Sequence, residues 1–129
     1  MGALNVSELQ HESEKLKQRL GSMTDENVSL KYRLSEVLKE KFDKEMLLEV
    51  EEYQNYFVRE DELIGLLRND IAVLDKLMSS SQTEGAEISP IDKKLKKLRS
   101  NILSVENQFG MLKAEFVSYL IRNKLTSAH

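Results

Sequence analysis

Cysteine and tryptophan are absent from this chain of 129 residues, and proline occurs once and glycine five times. Without cysteine there is neither a disulfide scaffold nor a thiolate metal site. Glycine and proline fall far below their usual shares of about 7% and 5%, so turns are scarce and a sandwich, barrel or wound sheet is disfavoured. No apolar run approaches the roughly 18 residues that would span a bilayer. The first residues also lack the apolar stretch of a signal peptide, so an intracellular, cytoplasmic setting is expected. Catalytic patterns are missing as well. There is no glycine-rich phosphate loop, no His-Glu-x-x-His pair and no Gly-x-Ser-x-Gly elbow, and the two histidines, His11 and His129, stand near opposite chain ends. The expectation is a non-catalytic chain with no cofactor and no metal.

What is abundant is charge, at 32% of residues, set among 40% hydrophobic residues. The apolar residues recur at alternating spacings of three and four, the pattern of a helix that buries one stripe in a coiled coil. In the first segment Val6, Ser13, Leu20, Asn27 and Leu34 occupy a positions, and Leu9, Leu16, Met23, Leu30 and Val37 occupy d positions. A second run reads Met46, Val50, Tyr53, Phe57, Glu60, Ile64, Leu67, Ile71, Leu74, Met78. A third reads Ile91, Leu95, Leu98, Ile102, Val105, Phe109, Leu112, Phe116, Tyr119. Gly21, Gly65 and Gly110 each follow an a residue, at an outward position where a glycine weakens the helix without opening its core.

One connector stands out, Ser79 to Ser89, small and polar and ending against Pro90. Ser89, Pro90 and Asp92 read as a helix start, with cap, first helical residue and returning acid in order. The first two runs are out of phase between Val37 and Met46, but no glycine or proline separates them. The expected result is one continuous helix with a change of register there; a break is the alternative.

The first stripe is narrow. It predicts an all-α chain whose residues 1–40 form a parallel dimeric coiled coil, with Leu9, Leu16, Leu20, Met23, Asn27, Leu30, Leu34 and Val37 as the dimer core. Asn27 would pair with its twin, and the pairs Glu12 with Lys17 and Glu26 with Lys31 would bridge the two chains. The second run is broader, with Phe42, Leu47, Tyr56, Leu63 and Leu77 beside its stripe, so it needs more than one neighbour. Residues 41–78 are therefore expected to continue the long helix into a bundle. Residues 79–89 would be a flexible linker, 90–125 an antiparallel return helix, and 126–129 a tail. Two such hairpins would meet in the dimer as a four-helix bundle. Its core would hold Met46, Val50, Tyr53, Phe57, Ile64, Leu67, Ile71 and Leu74 from one helix, and Leu95, Leu98, Ile102, Val105, Phe109, Leu112, Phe116 and Tyr119 from the other. The whole would be a rod of roughly 100 Å.

The net charge of −3 is unevenly spread, with 17 acids against 11 bases in residues 1–78 and 5 against 8 thereafter. Lys93, Lys94, Lys96, Lys97 and Arg99 make the one basic cluster, expected to lie near Asp70 and Asp75. It is short and the chain is acidic overall, which argues against nucleic acid as a partner. Leu38, Phe42, Tyr56, Leu120, Ile121 and Leu125, together with the basic cluster, form the candidate partner surface. The heptads resemble the generic coiled-coil scaffolds of cytoskeletal, centrosomal and vesicle-tethering proteins, a resemblance of periodicity alone. The reading is a dimerisation and adaptor module for a protein or peptide partner. Its rivals are half of an obligate heteromer and a membrane-surface module using the basic cluster.

Overall fold

The computed structural model describes residues 5–40, 44–80 and 88–123. It is all-α, with helices α1 (Val6–Glu40), α2 (Lys44–Ser80) and α3 (Ile88–Arg122), and contains no strand among the described residues. Asn5 starts α1 with a reciprocal cap that the sequence reading missed. Its side-chain oxygen accepts from the Glu8 backbone N–H at 2.9 Å, and its amide donates to the Glu8 carboxylate at 3.3 Å. The helix α3 begins at Ile88, one residue before the expected cap. Pro90 thus sits in the first turn, where its missing N–H has no helical partner to lose.

The first correction concerns α1 and α2. They are separate helices lying antiparallel, and the reversal falls where the heptads lose phase. Ser13 donates to Asp75 at 2.6 Å, Arg68 to Thr24 at 3.1 Å, and Asn27 to Asp61 at 2.7 Å. Partners descend along α2 as they ascend along α1, which no continuous helix allows. Each helix is then about 50 Å long at 1.5 Å per residue, and the 100 Å rod is absent. The helix α3 packs on both of the others and runs parallel to α1. The result is an up-down-up three-helix bundle within one chain.

The three stripes meet along its axis. Leu9, Leu16, Leu20, Met23, Leu30, Leu34 and Val37, read as a dimer core, are buried here against α2 and α3 of the same chain. Val50, Phe57, Ile64, Leu67, Ile71, Leu74 and Met78 face them from α2, and Ile91, Leu95, Leu98, Ile102, Phe109, Phe116 and Tyr119 from α3. Met46, Tyr53, Val105 and Leu112 pack at the margin, half-buried. Near the α1 C-terminus an aromatic cluster closes the core. Tyr53 lies 5.2 Å from Phe116 and 5.2 Å from Tyr119, and Phe57 meets Phe116 edge-on at 5.2 Å. Gly21, Gly65 and Gly110 open onto empty space, as their outward positions require.

Asn27 is fully buried and takes a different partner from the one expected. Its amide donates to the Phe57 carbonyl at 2.9 Å as well as to Asp61, so it ties α1 to α2 instead of to a twin. The charged residues of α1 are likewise redirected. Glu12 pairs with Arg99, Arg19 with Glu106 at 2.6 Å, and Glu26 with Lys113. Those rungs are a heptad apart and alternate in sign along each helix, so sliding α3 by one heptad would oppose like charges. Lys17 pairs with Asp75 at 2.5 Å, and Lys31 with Asp61. These partners raise the pKa of Lys17, chiefly through the hydrogen bond from its ammonium to Asp75, and that of Arg19 through Glu106.

Candidate functional site

A three-helix bundle has three outer seams, each lined by the residues beside the buried stripes. Two are bridged by polar rungs, with hollows between the rungs of the α1/α3 seam. The α1/α3 seam carries the alternating ladder, and the α1/α2 seam is held by Asp75, Arg68 and Asp61, one heptad apart on α2. The α2/α3 seam differs in kind. Here the equivalent positions of α2 are Tyr56, Leu63, Asp70 and Leu77; Tyr56 and Leu63 share a hollow with Gln108 and Glu115 of α3, and Asp70 shares one with Lys94 and Asn101. Between Tyr56 and Val73 no ion pair joins α2 to α3 among the described residues.

The apolar character of this seam continues outward. Leu66 is 62% exposed, Val73 58% and Tyr56 44%, and across the groove Met111 is 68% exposed. With half-buried Leu63 they repeat at heptad spacing, so α2 carries a second stripe beside its buried one. Exposed apolar residues standing singly, such as Val28 and Leu103, are ordinary on a protein surface, whereas a repeat along one helix face is informative. Leu47, Tyr56 and Leu63 signalled this breadth in the sequence. Leu66 and Val73 were not singled out there, though their spacing from Leu63 would have found them.

Two hollows open along the groove. One is lined by Asp70, Val73, Leu74, Lys94, Lys97, Leu98 and Asn101. The other is lined by Tyr56, Arg59, Glu60, Leu63, Gln108, Met111, Leu112 and Glu115. Glu60 is the chemical anomaly. It occupies a core d position, is only 5% exposed, and its Oε1 has no hydrogen-bond partner. Burial, and secondarily the neighbouring Asp61 charge, raises its carboxyl pKa above 4.5. Asn27 Oδ1 and the Tyr119 hydroxyl are also buried without partners, and burial raises the Tyr119 pKa. Burial likewise raises that of Tyr53, whose hydroxyl donates to the Glu115 carbonyl at 3.4 Å.

The expected partner surface is divided by the structure. Tyr56 is exposed in the groove and Lys94 and Lys97 lie along it, while Leu38 is half-buried against the core. Leu120 is 1% exposed and belongs to the core, because the last turns of α3 bury a wider arc than the ideal stripe. Ile121 points to solvent next to it. Lys93 is exposed, Lys96 pairs with Asp92 at 3.1 Å, and Arg99 is engaged by Glu12. Phe42 and Leu125 lie outside the described residues, as do residues 81–87 of the expected linker and the tail 126–129. No helix among the described residues is long and apolar enough to cross a membrane. No family model, curated protein or solved structure matches this chain.

Proposed function

We propose that this chain is a non-catalytic adaptor module, a three-helix bundle that offers the α2/α3 face to a protein partner. A single contrast carries the reading: two seams are bridged by heptad-spaced polar rungs, and the third displays Tyr56, Leu63, Leu66, Val73 and Met111 instead. Adding one more helical layer to that seam would bury the second stripe of α2 and complete a bundle of four or more helices. The same breadth of α2 supports both a homomeric and a heteromeric partner. Pairing of two chains through α1, as its heptads first suggest, is the second reading. It draws on the same buried residues and so requires α1 to leave α2 and α3.

The test is site-specific photocross-linking in cells, with the cross-linking residue placed at Leu66 or at Tyr32. Tyr32 is 65% exposed on α1, about as open as Leu66 but far from the groove. Adducts from Leu66 and none from Tyr32 are expected. Equal yields from the two positions, or none from either, would remove the basis for a docking face.

A further inference from the structure

We propose that Glu60 and Asn27 form a proton-dependent clasp between α2 and α1, in which a neutral Glu60 carboxyl donates to Oδ1 of Asn27. The clasp is independent of the docking face. Ser13 meets Asp75 and, two heptads on, Asn27 meets Asp61, which sets Leu74 in the layer of Ser13 and Glu60 in the layer of Asn27. Asn27 and Glu60 are both buried, and each keeps one sealed oxygen without a partner, Oδ1 and Oε1. The Asn27 amide is pinned to the turn of α2 that carries Glu60, donating to the Phe57 carbonyl and to Asp61. Those two donations polarise the amide and make its carbonyl a stronger acceptor in want of a donor. One proton on Glu60 satisfies both orphaned oxygens. An ionised Glu60 would leave two sealed acceptors in one layer with no donor between them.

The charges around the pair favour the same assignment. Asp61, next to Glu60, has the Lys31 ammonium and the Asn27 amide as partners for its charge, and Glu60 has neither. Arg59 of α2 and Glu115 of α3 line the hollow beside Glu60, and Glu26 of α1 is turned away toward Lys113. Burial, and then the Asp61 charge, holds the Glu60 carboxyl above its usual 4.5, in keeping with a neutral group. The clasp is therefore closed at low pH. As pH rises through the folded-state value the proton is lost, Asn27 Oδ1 loses its donor, and α1 loosens from α2 at this layer.

The experiment is a pH titration of the full chain by NMR, read at the side-chain carbonyl carbons of Glu60 and Asn27, beside urea unfolding at the same pH values. Glu60 should titrate above 4.5, and the Asn27 carbonyl should shift with the same midpoint. Glu60→Gln puts an amide donor in place of the O–H at every pH and leaves Asp61, Arg59, Glu115 and Lys31 as they are. The variant should lose the fall in stability that the parent shows as pH rises, with circular dichroism as a control on folding. In a double-mutant cycle Asn27→Ala should cost about fivefold more in the unfolding equilibrium beside Gln at position 60 than beside Leu, which cannot donate. A Glu60 midpoint at or below 4.5 overturns the clasp. A buried water serving both oxygens in place of the proton would give that result, because it donates to the charged form. An Asn27 carbonyl that does not follow Glu60, a Glu60→Gln chain with the parent's pH response, or a cycle without coupling overturns it as well.

Discussion

Glu60 offers the sharpest test of how this core is built. It holds a d position where every neighbouring layer of α2 carries an apolar residue, and one carboxylate oxygen is sealed without a donor. Replacing it by leucine removes an unsatisfied buried acceptor, which costs about 1–3 kcal/mol. The new side chain also gains burial beside Leu63 and Leu112, worth about 1.5 kcal/mol or more. Glu60→Leu should therefore stabilise the bundle by roughly 2–4 kcal/mol at pH 7, read from urea unfolding followed by circular dichroism. The sign of the pH dependence follows from the raised pKa. The folded chain holds the Glu60 proton to higher pH than the unfolded chain does, so the native protein has the full benefit only below the unfolded value, near 4.5. As pH climbs through the folded value the carboxylate ionises in place and stability is lost. The advantage of the leucine variant should consequently be small at pH 4 and widen toward neutrality. Arg59, Asp61 and Glu115 are the charged groups nearest this site, with Lys31 engaged by Asp61, and they are common to both proteins. A variant less stable than the parent at pH 7, or a gap that does not widen with pH, would refute the reasoning.

Arg19→Glu sets a carboxylate against Glu106 and should cost about 1 kcal/mol, since the pair is partly exposed; adding Glu106→Arg should recover most of it in a double-mutant cycle of urea unfolding. Phe57→Ala empties a fully buried site against Phe116 and Asn27, and a loss of about 3–5 kcal/mol is expected, a large part of the stability of a domain this size.

The all-α fold was legible from the scarcity of glycine and proline and from the heptads, and the breadth of α2 was visible in Tyr56 and Leu63. The reversal after Glu40 was not, because residues 41–43 include neither glycine nor proline and only a phase slip marks the place. Heptads also say nothing about whose helix fills the opposite side. Glu12 and Lys17 stand five apart, the spacing that bridges two chains in a parallel coil. The same spacing sends Glu12 to α3 and Lys17 to α2 when both neighbours belong to one chain. Asn27 is equivalent in this respect, since a buried amide serves any helix that presents an acceptor. The α2/α3 seam was partly legible: its apolar members could be found by spacing, while the absence of ion pairs across it between Tyr56 and Val73, among the described residues, emerges only once the other two seams have claimed theirs.

The alternation of charge along α1 and α3 has a consequence for how the chain reaches this state. Three leucine-rich stripes of similar period can dock in many offsets, and a helix seated seven residues too far would bury nearly as much oil-like surface. Glu12, Arg19 and Glu26 set like charge against like at two or more rungs of that near-miss, which raises it relative to the native seating. Pairs this exposed add little to the depth of the native basin, yet by roughening only its competitors they steer the search for it.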